Sequence, residues 1–362
     1  MKDIRPALLR TGMGCFAFTA GISLLNVLFL PYARANYGYS AAVTLGVYAV
    51  SLGALILAGR SVGRMEKEKA ERAAKALAPV FLAALFMVQL VVGYWMEYTP
   101  SGDNFMLYNG SQMLARDGSF DAYPDFGLYL SRFSNQWGFL LMLTALFRAL
   151  GALGVTQFFF PLVVLQTGLY VLGMRSALRI ARRLGGARAE ILTVMMLAVC
   201  LPLVLAAGVL YTDTFSLPFI LMALDLALCA RDAGTAKGQI GYAAVCGAVT
   251  LIGCQIKMTV LIALIAAGII WLMAMKPMRS VVSIALCGAM IFAGTTAVKG
   301  YMLGHVLDPK VYAQEHTPVI HWVMMSIPTS DNPYGGSTGD YGITWGMMEE
   351  GATHEEVMES IY

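Results

Sequence analysis

Ten apolar blocks recur along this 362-residue chain, most of them close to the roughly 20 residues that an α-helix needs to cross a bilayer. They fall near 11–33, 40–59, 78–97, 137–153, 156–178, 190–211, 214–230, 239–256, 258–275 and 281–300. Lipid offers no partners to backbone N–H and C=O groups, so spanning blocks of this kind must be helical. The pattern therefore predicts an all-α, polytopic transmembrane helical bundle of about nine spans plus juxtamembrane helices. Composition argues the same way. Hydrophobic residues make up 58% and charged residues 13%, with a mean hydropathy of +0.66. A soluble domain carries about twice that charge, which excludes a cytosolic enzyme, a disordered chain and a nucleic-acid-binding domain.

The six cysteines all lie inside apolar blocks, with no CxxC pair and no polar-loop position, so neither a disulfide framework nor a zinc site is expected. The first block is longer than a signal-peptide core and lacks a small-x-small cleavage site; it is kept as a span. No HxxxH, HExxH, Walker or helix-opening GxGxxG pattern occurs, so no metal and no cofactor is expected.

Charge placement gives a topology. Basic residues cluster at Lys2–Arg10, Arg60–Lys75, Arg175–Arg188, Arg231–Lys237 and Lys276–Arg279. The positive-inside rule puts these turns, and the N-terminus, in the cytoplasm. One parity problem follows. Between residue 97 (outside) and the basic run 175–188 (inside) the chain must cross once, yet two apolar blocks lie there. The block 137–153 is short and holds Arg148, so it is taken as partly inserted or juxtamembrane, and 156–178 as the crossing. The alternative, in which both cross and the rule fails locally, would move every later loop to the other side. In the preferred topology, residues 98–136, the turns at 211–214 and 255–258, and the tail 301–362 face outside. That tail carries nine acids against one base, Lys310, and all four histidines. The expected organisation is an N-terminal hairpin (1–59), a transmembrane core (60–301) with the loop 98–136, and an extracytoplasmic segment (302–362).

Several polar residues on that face are candidates for chemistry. Asp103, in the run Glu97-Tyr-Thr-Pro-Ser-Gly-Asp103-Asn104, stands directly after a span. Low dielectric at a membrane exit favours the neutral form of a carboxyl group and strengthens it as a base. The plain alternative is a solvated acid or a cap for the helix Asn104 to Arg116. Asp213, in Tyr211-Thr-Asp213-Thr-Phe-Ser216, either N-caps the next helix or holds substrate hydroxyls. Lys257 stands against the positive-inside trend. It either snorkels to the interface or binds a lipid phosphate. Arg132 and the pair Asn135-Gln136 add donors. His321 beside Trp322 either lines a sugar site or anchors the interface. Asp225, alone within a span, is the one acid that could serve a proton pathway.

The order of these elements resembles a known family. An early-loop acid (Gly102-Asp103-Asn104) is followed by Asn135-Gln136-Trp-Gly-Phe entering a helix that closes with Phe147-Arg-Ala-Leu-Gly151. Spans ending in Arg182-Arg-Leu-Gly and in Tyr211-Thr-Asp213 come next. That succession is similar to the polyprenyl-phosphate-dependent GT-C glycosyltransferases, in particular bacterial relatives of the protein O-mannosyltransferase and aminoarabinose-transferase group. The element His321-Trp322-Val-Met-Met resembles one in Gram-positive members. The resemblance covers roughly residues 80–330 and is one of order and side. It implies a GT-C-like bundle and an inverting transfer of a sugar from a polyprenyl phosphate to an extracytoplasmic acceptor hydroxyl, on protein or wall glycan. Asp103 would be the general base, Lys257 and Arg132 the phosphate ligands, and Asp213 a sugar ligand. Asn104, Asn135, Gln136, His321 and Trp322 would complete the substrate contacts. The family has one span before its acidic loop, against three expected here, and continues beyond an end like Tyr362, so a fragment is expected. The competing reading is a transporter or lipid flippase, with Asp225, Arg148, Gln89 and Gln166 as its only mid-span polar candidates. A non-catalytic scaffold is the third.

Overall fold

The computed structural model describes residues 41–96 and 100–317, with 346, 347, 350, 352 and 356. The first apolar block, His321 and Trp322 lie outside the described residues. The chain divides into two compact units, 1–72 and 73–362. In the first, α1 (Ala41–Gly63) is a 23-residue helix. The division falls within α2 (Lys67–Met96).

The second unit continues with α3 (Asp103–Asp117), α4 (Pro124–Arg132), α5 (Trp137–Ala152), α6 (Phe159–Ala198, interrupted at Gly186) and α7 (Leu201–Leu205). Then come α8 (Thr212–Asp232), α9 (Ala236–Ile256), α10 (Leu261–Ala274), α11 (Pro277–His305) and α12 (Pro309–Glu315). No strand occurs among the described residues. Among the described residues five helices, α2, α6, α8, α9 and α11, are long and apolar enough to cross a membrane. On α2, Val80, Met87 and Val91 expose more than half their surface, as do Val281 and Phe292 on α11. Apolar surface displayed along whole helices is stable against lipid and not against water. The α5 helix has 16 residues, below spanning length, and packs against α3 through Leu107, Leu140 and Phe147.

The block 190–211 is not one helix, contrary to the expectation of an unbroken span. Gly186 has φ 69° and ψ −164°, a conformation open essentially to glycine, and it reverses the chain. The return then runs as helix to Ala198, breaks, resumes at α7 and ends in a non-helical turn. It lies antiparallel to its partner, since Tyr170, Met174 and Leu178 share a core with Val194 and Leu203. A broken helix strands backbone groups that lipid cannot satisfy. Two buried glutamines supply the partners. Gln89 Nε2 donates to the Leu203 carbonyl at 2.6 Å. Gln166 Nε2 donates to the carbonyls of Ala206 and Val209 at 3.1 and 3.0 Å, and its Oε1 accepts from Gly208 N–H.

Small residues draw the remaining helices together. Ala223 and Ala227 of α8, Ala243 and Cys246 of α9, Ala267 of α10 and Cys287 of α11 are buried in one cluster, which lets the backbones approach closely. Trp271 fills its centre and donates to the Ala227 carbonyl at 3.0 Å. Cys200 is half-buried, and Cys229, Cys246, Cys254 and Cys287 are buried; all five are free thiols.

Candidate functional site

The described bundle is polarised. One end carries α3, α4, the Tyr211 turn and the Lys257 turn; the other carries the arginines of α6. At the loop end, Asp103 is the first residue of α3, after an N-cap at Gly102. Its carboxylate makes no cap hydrogen bond. Instead Oδ1 accepts from the Tyr129 hydroxyl at 2.8 Å and Oδ2 from the Tyr211 hydroxyl at 3.1 Å. Each carboxylate oxygen has a second lone pair, so a further hydroxyl can be received. The other loop acids sit apart from it: Asp117 pairs with Arg116 at 2.8 Å, and Asp121 accepts from Ser119.

Tyr211, not Asp213, is the N-cap of α8, and the cap residue's N–H is met by Thr214 Oγ1 at 3.3 Å. Asp213, which the sequence offered as a cap, is relieved of that role and forms an ion pair with Lys257. Asp213 is 56% exposed at its side chain and Lys257 31%, so the pair is solvated and weak. An ammonium has three donors, and the two that Asp213 does not take remain for a second anion. Lys257 is the extended residue at which α9 stops, and its ammonium stands 5.8 Å from the centre of the Tyr211 ring. Tyr211 therefore touches Asp103 with its hydroxyl and the Lys257 charge with its ring. Burial, and next the Asp103 carboxylate, push its phenol up to about 12 from 10.0.

Glycine 138 fixes the approach of α5 to this turn. A Cβ at Gly138 would stand 2.5 Å from the carbonyl oxygen of Gln255, two residues from Lys257, so only glycine fits without displacement. Beside Asp213 and Thr214 opens an apolar groove of about 600 Å³, walled by Tyr170, Met174, Leu197, Leu203, Leu217 and Leu221. It lies where the return from Gly186 is broken.

Other expected site residues are placed differently. Arg132 pairs with Glu315 at 2.9 Å and its carbonyl accepts from Thr317 N–H; it ties α12 to α4, one turn from Tyr129. Asn104 is half-buried next to Asp103. Asn135 is exposed and lines a separate cavity. Gln136 is buried, and its Oε1 has no hydrogen-bond partner among the described residues.

At the opposite end Asp225, expected as a lone acid, is 3% exposed and pairs with Arg179 at 3.2 Å and Arg183 at 3.5 Å. Arg183 also binds Asp232 at 2.7 Å, and Arg182 binds Glu190 at 2.7 Å. Arg148, another mid-span candidate, donates to the carbonyls of Leu114 and Ala115 and so closes the C-terminal turn of α3.

Tyr129 and Tyr211 were not singled out by residue type alone. Tyrosine near a membrane exit reads as an interfacial anchor. The available signal was position: Tyr211 directly precedes the Thr-Asp213 turn, and Tyr129 lies one helical turn before Arg132.

These features define an integral membrane protein of several apolar helices, with a hydrogen-bonded acid, a cation and an apolar groove gathered at one end. The chain belongs to a family of conserved hypothetical integral membrane proteins, whose model matches residues 33–337. No curated protein and no solved structure matches it.

Proposed function

We propose that the chain is a membrane glycosyltransferase that moves a sugar from a polyprenyl-phosphate donor to an acceptor hydroxyl outside the cytoplasm, in the manner of the GT-C enzymes. One observation carries this reading: Tyr211 bridges the Asp103 carboxylate to the Lys257 ammonium. Transfer from a lipid phosphate needs both groups close together. Asp103 takes the proton of the acceptor hydroxyl as its oxygen attacks the anomeric carbon. The anomeric C–O bond to phosphate breaks on the opposite face, and the electron pair leaves with the polyprenyl phosphate. Lys257, held by Asp213, stabilises the charge that develops there. Tyr129 and Tyr211 fix the carboxylate, so little of the barrier goes to reorganisation. The groove beside Asp213 offers an apolar surface to the prenyl chain. In this reading the loop end is extracytoplasmic and the arginine end cytoplasmic. Arg132 acts through Glu315 as a brace rather than on phosphate.

A transporter would need ionisable groups facing a cavity within the membrane. Its four candidates have structural partners: Gln89 and Gln166 satisfy the broken return, Arg148 closes α3, and Asp225 is ion-paired. The test is release of labelled sugar from a polyprenyl phosphate by the purified chain and by Asp103→Asn. Turnover is expected to fall by about 10²–10⁴. Equal turnover would remove the general base from the account.

A further inference from the structure

A second cavity flanks the Lys257 turn and has no part in the transfer just described. It measures about 210 Å³ and is walled by Asn135, Trp137, Gln255, Thr295, Lys299 and Tyr312. No carboxylate lines it among the described residues. Lys299 is exposed near the C-terminal end of α11, the end that lies beside the Lys257 turn, so its ammonium can stand at the cavity mouth without crossing lipid. Among the described residues that ammonium has no carboxylate within ion-pair distance; it faces the Tyr312 ring at 5.6 Å. The ring is itself clamped, with Trp137 at 5.1 Å and His316 at 4.9 Å. Gln255 donates to Thr295 across the cavity at 3.3 Å.

We propose that this cavity binds a phosphate ester of a small polyol, either free or as a phospholipid headgroup. A single cation without a competing acid selects one anionic group. The neutral amides of Asn135 and Gln255 and the Thr295 hydroxyl donate to or accept from hydroxyls. The Tyr312 and Trp137 rings offer a flat apolar wall to carbon. The volume suits a molecule of a few carbons. This binding does not require glycosyl transfer to occur.

The test uses the full chain in phosphatidylcholine nanodiscs, with sn-glycerol 1-phosphate as the probe and binding read by calorimetry. Saturable binding is expected, weakened at least about tenfold by Lys299→Met and changed less than about twofold by Lys237→Met, an exposed lysine at the opposite end of the bundle. Tyr312→Leu is expected to weaken it as well, and provides a second reading if Lys299→Met does not fold. Glycerol should not bind, and inorganic phosphate should bind more weakly than the ester. Nanodiscs containing phosphatidylglycerol separate the two sources: loss of probe binding there identifies the headgroup as occupant, and unchanged binding a free ester. Three results would overturn the proposal. They are no saturable binding, full binding by Lys299→Met and Tyr312→Leu, or binding lost with Lys237→Met. Equal affinity for inorganic phosphate would reduce the cavity to an anion site and remove the polyol.

Discussion

The two ends of the bundle each hold an aspartate beside basic side chains, and they use them differently. At the arginine end Asp225 is buried and gripped by Arg179 and Arg183, while Arg183 also holds Asp232. Asp225, Asp232 and Glu190 there each face an arginine. At the loop end Asp103 and Asp213 are open to approach. Asp103 is held by two phenols, Asp213 by a half-exposed lysine, and an apolar groove begins beside them. Satisfied buried charges hold helices in register, whereas hydrogen-bonded but accessible charges can receive a substrate. The contrast separates α6–α8 packing from chemistry.

Substitutions that act on one end and not the other sharpen that contrast. The largest effect is expected from Asp225→Ala, which leaves two arginines without their buried partner and should destabilise the protein by about 3–5 kcal/mol. Thermal unfolding in detergent checks it. Replacing Asp225, Arg179 and Arg183 together by apolar residues should recover much of the loss. Next comes Lys257→Met, which removes the cation that the proposed transfer assigns to the leaving phosphate. Turnover should drop by about 10²–10³, with stability changed by under about 1 kcal/mol because the Asp213 pair is solvated. Initial rates alongside melting curves separate the two quantities. Gly138→Ala drives a methyl group into the Gln255 carbonyl and should cost about 1–3 kcal/mol. It should also lower turnover, since it shifts the turn that carries Lys257.

The smallest effect concerns pH. The Tyr211 phenol is held up to about 12 against 10.0 in an unfolded chain. Through that interval the unfolded chain loses its proton first, so stability from this group is full below pH 10 and is lost between about 10 and 12. Subtracting the ultraviolet titration of Tyr211→Phe from that of the parent should leave a tyrosinate step near 12. A step near 10 would mean that the phenol is neither buried nor bound to Asp103.

Much of the architecture was legible because it follows from one solvent. Apolar blocks in lipid must be helices, and that rule alone marked α2, α8, α9 and α11. The break in the return from Gly186 was not legible, since residues 190–211 are apolar throughout and the glutamines that rescue it come from distant helices. The same distance explains the site. Asp103, Asp213 and Lys257 each stood out by charge at a membrane exit, but their convergence depends on Tyr211, whose side chain has no unusual sequence context. Lys299 was absorbed into an apolar block of spanning length, where one ammonium barely changes the average. The pairing of Arg132 with Glu315 is not legible either, because Glu315 lies in a distant tail of scattered acids.

The most direct measurement pairs Asp103→Asn with Asp225→Asn in the same preparations, reading sugar release from a labelled polyprenyl phosphate and the melting temperature together. The account predicts that Asp103→Asn loses transfer and keeps its melting temperature, while Asp225→Asn lowers the melting temperature and keeps the turnover of its folded fraction. Undiminished transfer by Asp103→Asn, or a loss of transfer matched by an equal loss of stability, would contradict the assignment of chemistry to the loop end.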